Sequence, residues 1–262
     1  MAQAAISTTG IGESGSRALA MWWRLSLLGL IGTASMLLAP LERVIPIEMP
    51  AMIVRLVSII QPSVLVLVFV ALGLWVGPRL GLDSPVVRAW AERRPILPAL
   101  RPQLSPAMLG GGAVAAVLVL FWLGVNAMPG AADKLSILEI PLVTKLLYGG
   151  IVEELLLRWG LMSLFAWAAW RLARRPAAVP AWCIWSAIVA AAILFAAGHL
   201  PMLYLLMPDP PQTLVAMVLV GNSLPGMLFG WLFWRRGLEA AMIAHALAHL
   251  FAVTALSVLA AF

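Results

Sequence analysis

The sequence predicts an all-α fold, a polytopic membrane bundle of about seven transmembrane helices, and three observations support this. Hydrophobic residues make up 63% of the 262 residues and charged residues only 11%. Soluble domains are about a quarter charged. Apolar stretches of roughly 20 residues, long enough to cross a bilayer, recur along the chain, and arginines cluster in the short segments between them. No soluble domain of useful size fits beside these stretches.

The chain divides into three predicted parts. Residues 1–17 are rich in Ser, Gly and Ala and are expected to form a disordered cytoplasmic tail. Residues 18–136 form an N-terminal region of three transmembrane helices, and residues 137–262 form a core of four. The seven predicted spans are 18–39, 62–82, 107–128, 137–170, 181–206, 211–234 and 238–262.

The distribution of charge predicts the orientation. With seven spans, most loop arginines fall on one side of the membrane, and tryptophans lie beside them at the predicted interface. The positive-inside rule then places the N-terminus in the cytoplasm. The predicted location of the protein is a bacterial-type inner (plasma) membrane. The arginines that produce the net charge of +6 therefore set the topology. We expect the protein to interact with the lipid bilayer and not with nucleic acid.

The glycine run Gly110–Gly112 opens the third predicted span. No strand pattern or lysine accompanies it, so it is not a phosphate-binding loop. Small residues let two membrane helices approach closely, and we expect a tight helix contact here.

The fourth predicted span carries the most informative motif, because ionisable groups at bilayer depth are costly and usually functional. Glu154 and Arg158 are four residues apart, share a helix face and can form an ion pair. Glu153 lies about 100° around the helix and lacks that partner. One glutamate is therefore expected to be structural and the other chemical.

Two further features of this span concern its shape and its other charge. The segment is long enough to be tilted or broken, and Gly149 and Gly150 are the natural point for a break. Lys145 lies in the first half and is interpreted as extending outward to the membrane surface.

All three histidines of the chain fall in the later spans. His199 follows Phe195 by four residues in the fifth span, so the two share a face. His245 and His249 share a face of the seventh span in the same way. Together with Glu153, these histidines form a candidate cluster at membrane depth.

Span six contains Asn222 and Pro225 near its middle. The favoured interpretation is a proline kink whose freed carbonyl is satisfied by Asn222 or Ser223. The alternative is that Asn222 contributes to a functional cavity.

These residues resemble the motifs of the CAAX protease and bacteriocin-processing (CPBP, or Abi) family of intramembrane proteases. Glu153, Glu154 and Arg158 resemble its EExxxR motif, Phe195 and His199 its FxxxH motif, and His245 the histidine of its HxxxN motif. Their order and spacing match over roughly Lys145 to Phe251.

The resemblance implies an intramembrane endopeptidase without a metal cofactor. Glu153 would activate water, His199 would position it, and His245 with His249 would stabilise the oxyanion. Glu154 and Arg158 would support the helix face. The implied partner is a peptide or membrane-protein substrate, with or without a lipid.

The sequence departs from the family pattern at His249, where the family has asparagine. A neutral histidine still donates one hydrogen bond. The change also opens an alternative, in which His199, His245 and His249 hold a zinc ion and Glu153 is the base.

A second alternative is a non-proteolytic scaffold or immunity protein of the same fold. A proton-coupled transporter is disfavoured, because the polar groups all lie in the second half of the chain.

Overall fold

The computed structural model describes residues 9–45 and 49–261, and all regular structure within these ranges is helical. The all-α prediction is therefore confirmed. The first helix begins at Thr9, inside the segment predicted as a tail. Residues 1–8 of that tail, and Phe262 at the end of the seventh predicted span, lie outside the described residues.

Eleven α-helices lie within the described ranges. They are α1 (Thr9–Ala34), α2 (Ala51–Val76), α3 (Pro85–Ala91), α4 (Leu97–Asn126), α5 (Ala131–Ser136), α6 (Leu142–Thr144), α7 (Ser163–Leu172), α8 (Ala181–Ala197), α9 (Leu200–Leu206), α10 (Gln212–Arg236) and α11 (Leu238–Leu259). Short 3₁₀ turns cover Ser35–Leu38, Leu41–Arg43 and Gly77–Leu80, and π-helical segments cover Lys145–Glu153 and Leu155–Met162.

Six helical stretches of the described chain are long and apolar enough to cross a membrane. They are Gly15–Leu38, Ala51–Leu80, Leu97–Asn126, Ala181–Leu206, Gln212–Arg236 and Leu238–Leu259. The remaining predicted span, 137–170, carries the charged motif and is not among these six stretches. The protein is therefore a multi-pass membrane protein with about the expected number of membrane-spanning helices.

The second and third predicted spans begin earlier than expected: α2 starts at Ala51 rather than at 62, and α4 starts at Leu97 rather than at 107. Pro62 lies inside α2 instead of starting it, because membrane helices tolerate proline where neighbours satisfy the freed backbone. The early part of α2 also holds Arg55, which donates to Glu42 in the preceding turn and lowers the pKa of Glu42 to about 2.

Residues 142–172, from α6 through the two π-helical segments to α7, form one uninterrupted helical run that we term the motif helix. The predicted break at Gly149 and Gly150 is therefore wrong. These glycines instead allow close contact with α11, since a Cβ on Gly150 would lie 2.9 Å from the Cβ of Ala246. π-helical turns occur often at functional sites, and here they carry the charged motif.

Small residues set the close helix contacts, as expected for packing within a membrane. A Cβ on Gly111 of α4 would lie 2.9 Å from the carbonyl oxygen of Ala244 on α11, which confirms the tight contact predicted for the glycine run. A Cβ on Gly226 of α10 would lie 2.9 Å from Ala192 on α8. The motif helix packs against α1, α2 and α11, and α8 packs against α10.

A buried carboxylate connects the start of α11 to neighbouring elements. Glu239 accepts hydrogen bonds from the Ser84 hydroxyl (2.6 Å) and from the backbone N–H groups of Val86 (3.0 Å) and Val87 (2.9 Å). Gln103 of α4 donates to its other oxygen at 3.4 Å. These bonds satisfy N–H groups that the first turn of α3 leaves unpaired, and they fix the end of α11 from which His245 is reached two turns later.

Candidate active site

Glu154 and Arg158 form the predicted ion pair in the protein interior. Arg158 Nη1 lies 3.0 Å from Glu154 Oε1, and the side chains are 2% and 0% exposed. Arg158 Nη2 donates to the carbonyl oxygen of Gly226 at 3.1 Å. The guanidinium carbon also lies 5.1 Å from the ring centre of Phe195 and 5.4 Å from that of Phe229. The pair therefore ties the motif helix to α8 and α10.

Glu154 also fixes the orientation of His245. Its Oε1 lies 2.8 Å from His245 Nδ1, and an ionised carboxylate only accepts hydrogen bonds, so Nδ1 carries the proton. The ring stacks on Phe229 with centroids 4.6 Å apart. In the neutral ring, Nε2 then presents a lone pair, and it lies 3.8 Å from Glu153 Oε2. Glu154 is thus more than a support for its own helix, because it sets the tautomer of a residue on α11.

Glu153 has different surroundings from its neighbour. Its side chain is 22% exposed and lies on the wall of a cavity of about 330 Å³, which we term the Glu–His cavity. His199, His245 and His249 lie on the same wall. The structure therefore brings together the four side chains that the sequence proposes as catalytic, from the motif helix, the α8–α9 junction and α11.

His199 lies between α8 and α9, where the helix is interrupted at Gly198. Its Nδ1 lies 2.9 Å from the carbonyl oxygen of Phe195, so this nitrogen carries the proton and Nε2 has a free lone pair in the neutral ring. The Phe195 ring meets the imidazole edge-on, with centroids 4.8 Å apart. Phe195 therefore positions His199 through both its backbone and its ring.

His249 lies one turn beyond His245, with the two rings stacked at 5.1 Å between centroids. It forms no side-chain hydrogen bond with the described residues, so either ring nitrogen is free to donate into the cavity. A Cβ on Gly149 would lie 3.1 Å from His249 Nε2 and 3.3 Å from His245 Nε2. The glycine leaves room for both rings beside the motif helix.

Asn222 lies on the wall of the candidate site, but its side-chain hydrogen bond is not the one expected of the proline kink, because Pro225 would free the carbonyl of Gly221, four residues before it. Asn222 donates to the carbonyl oxygen of Val218, one turn back on α10, at 2.8 Å. It also lines the Glu–His cavity together with Pro225. Its bond thus satisfies a carbonyl of its own helix while its side chain faces the candidate site.

Lys145 lines the candidate site, where the sequence interpretation did not place it. That interpretation has it extending outward to the membrane surface, and in the structure it is half-buried on the wall of the Glu–His cavity. Lys145, Gly149 and Glu153 follow one another at intervals of four residues, which places them on one helix face. This four-residue spacing could have indicated from the sequence that Lys145 lies near the site. All three residues line this cavity.

A second, larger cavity of about 630 Å³ adjoins the first and is mostly apolar; we term it the apolar cavity. Its wall includes Trp122, Leu203 and Leu256. Residues shared by the two cavities include Lys145, His199, Asn222 and His249. These four shared polar residues therefore lie at the boundary between the apolar cavity and the cavity that contains Glu153.

The arrangement of metal-binding side chains bears on the zinc alternative. Across residues 9–45 and 49–261, no group of three His, Cys, Asp or Glu side chains is arranged to hold a metal ion. The Nδ1 protons of His199 and His245 are directed to a carbonyl and a carboxylate, so only their Nε2 atoms are open to the cavity. Imidazole nitrogens that are open in this way can hold a water molecule or bind a metal ion.

Comparison with known proteins identifies this part of the chain. The family model described as type II CAAX prenyl endopeptidase Rce1-like matches residues 136–251, which confirms the resemblance noted in the sequence. The matched segment contains the motif helix and both histidine motifs. No curated protein and no solved structure matches the chain.

Proposed function

With residues 136–251 identified as a domain of the Rce1-like CAAX endopeptidase family, we propose that the chain is an intramembrane endopeptidase that cleaves a peptide bond with water activated by Glu153. The observation that carries the proposal is the convergence of Glu153, His199, His245 and His249 on one cavity. The proposed substrate is a peptide or a membrane protein, with or without a lipid.

The first step is attack by water. Glu153 accepts one proton of the water molecule, and the Nε2 lone pair of His199 accepts a hydrogen bond from the other. The water oxygen attacks the carbonyl carbon and forms a tetrahedral oxyanion. The proton held by Glu153 then passes to the amine as the carbon–nitrogen bond breaks.

Oxyanion stabilisation is assigned to α11. His249 donates to the oxyanion from its free ring nitrogen, which takes the place of the asparagine of the family pattern. His245 contributes when its Nε2 carries a proton, since its Nδ1–H already donates to Glu154. One such donor contributes roughly 3–4 kcal/mol to transition-state stabilisation.

Glu154 and Arg158 are positioning residues in this proposal. They touch neither the water nor the substrate but fix the tautomer and direction of His245. We therefore expect loss of Glu154 or Arg158 to lower the stability of the folded protein. Loss of either residue should also slow the reaction, because the His245 ring on α11 is no longer held in place.

We assign the reaction to side chains and water without a metal ion. The alternative is a zinc ion bound by His199, His245 and His249. Metal analysis of purified protein, alongside cleavage with and without EDTA, separates the two. Zinc at one equivalent together with loss of cleavage in EDTA would support the alternative.

The test of the proposed function compares two adjacent glutamates. The substrate is a farnesylated peptide that ends in cysteine, two aliphatic residues and a variable residue, with purified protein in nanodiscs. We expect Glu153→Gln to abolish cleavage while its apparent Tm stays near wild type. We expect Glu154→Gln to lower the apparent Tm, because removing one partner of a buried ion pair costs about 3–5 kcal/mol. Cleavage that survives in Glu153→Gln would refute the assignment.

The second candidate function is a non-proteolytic scaffold or immunity protein in the same membrane, and the replacement of the family asparagine by His249 is the observation that favours it. A resistance or growth phenotype that persists when Glu153 and His199 are both replaced would support this function over proteolysis.

A further inference from the structure

Lys145 is a positive charge for which the proposed reaction has no role. It is half-buried on the motif helix and lies on the wall of both cavities. It forms no ion pair or side-chain hydrogen bond with the described residues, and its principal acidic neighbour is the exposed Glu139. The chain's other lysine, Lys134, is exposed on α5 and lines neither cavity.

The surroundings make this lysine unusual. The apolar cavity has few polar residues on its wall, and Lys145 is the charged one among those named for it. A charged amine beside a mostly apolar chamber is costly unless a group of opposite charge meets it, so Lys145 points to a ligand that carries a negative charge. A substrate that brings a carboxylate into this chamber would find Lys145 as its partner, because charge-assisted hydrogen bonds are about twice as strong as neutral ones.

The spacing along the motif helix indicates where that carboxylate would lie. Lys145 and Glu153 are eight residues apart, which is at most about 12 Å along the axis, because the α-helix rises about 1.5 Å per residue and the wider π-helical turns here rise less. An extended peptide covers this distance in three to four residues. A chain cleaved beside Glu153 can therefore place its terminal carboxylate at Lys145, while its side chains contact the apolar wall.

We infer that Lys145 binds the carboxylate at the carboxy terminus of the substrate peptide and thereby sets how far from that terminus the chain is cut. This inference rests on the proposed function, since it takes Glu153 as the position of the scissile bond. Lys145 is a specificity-determining residue in this scheme, and it takes no part in proton transfer.

The test measures binding separately from cleavage. Two farnesylated peptides are compared that differ only in their terminus, one a free acid and the other an amide. In the Glu153→Gln background, we expect the acid to bind at least about tenfold more tightly than the amide, the ratio that corresponds to about 1.4 kcal/mol. Adding Lys145→Met should remove this preference, Lys145→Arg should retain it, and Lys134→Met should leave it unchanged.

Two results would overturn the inference. One is equal binding of acid and amide by the protein that retains Lys145. The other is an equal loss for both peptides in Lys145→Met, which would indicate a structural role.

Cleavage assays then separate this inference from the proposed function. If acid and amide are distinguished through Lys145 but cleavage does not depend on Glu153, the proposed function fails and the binding site stands. If cleavage depends on Glu153 and ignores the terminus, the proposed function stands and the inference fails. With active protein, we expect Lys145→Met to raise KM for the acid with little change in kcat.

Discussion

Glu153 and Glu154 are adjacent in the sequence, yet their surroundings are opposite. Glu154 is fully buried and accepts hydrogen bonds from Arg158 and His245, whereas Glu153 lies on the wall of the Glu–His cavity. The spacing to Arg158 predicts which glutamate is paired, because residues four apart share a helix face. The bond from Glu154 to His245 joins residues 91 positions apart, and no local pattern reveals it.

His249 offers a direct test at the residue scale, because the family pattern has asparagine there. Both side chains present an N–H donor, so we expect His249→Asn to retain cleavage within a few-fold of wild type. We expect His249→Ala to lower kcat by about 10²–10³-fold, the usual cost of losing an oxyanion donor. Initial rates at saturating peptide measure both effects.

The matching structural check is the apparent Tm of the two His249 variants. A gain of activity in His249→Asn over an inactive wild-type protein would instead favour the scaffold function. Equal activity in all three proteins would remove His249 from the mechanism.

At the scale of single elements, the decisive contact is between the motif helix and α11. Gly149 and Gly150 bring the backbones close enough for His245 and His249 to face Glu153. The sequence predicts a break at these glycines, since glycine pairs commonly kink helices. Whether a glycine breaks a helix or admits a neighbour depends on what packs against it, and only the tertiary structure supplies that.

Gly149→Ala tests this contact. The added methyl group would lie 3.1 Å from His249 Nε2, so the ring must shift by a few tenths of an ångström. We expect cleavage to fall about tenfold, because small misplacements of catalytic groups are costly, while far-UV circular dichroism stays unchanged.

Gly112→Ala is the control for this substitution, because a Cβ at Gly112 meets no atom within 4 Å. It should leave cleavage at the wild-type level. If Gly149→Ala cleaves as fast as Gly112→Ala, the close approach is not needed for the reaction.

At the scale of the whole molecule, arginine and tryptophan side chains pair repeatedly, three times at the ends of helices and once, at Arg24, within α1. The guanidinium carbons of Arg24, Arg79, Arg171 and Arg235 lie 4.7–5.5 Å from the ring centres of neighbouring tryptophans. Tryptophan beside arginine is typical of a membrane interface. These pairs agree with the predicted belt, and the direction in which the bundle crosses the membrane stays a prediction.

The predicted orientation can be measured with reporter fusions. If the N-terminus is cytoplasmic and the number of spans is seven, alkaline phosphatase fused after residue 262 should be active in a bacterial host and green fluorescent protein fused there should be dark. The reverse pattern would indicate an even number of spans or an inverted protein. A fusion within the 171–180 loop, predicted to be cytoplasmic, provides the internal control.

The sequence by itself determined the membrane-spanning helical class, the pairing of Glu154 with Arg158 and the candidate residues on three separate helices. These follow from composition and from spacing within one helix, which are local properties. Only the tertiary structure brought Glu153, His199, His245 and His249 onto one cavity, oriented His245 through Glu154 and placed Lys145 on the wall of that cavity. Those arrangements depend on how separate helices pack, and helical periodicity sets the face of a side chain without setting the helix that it meets.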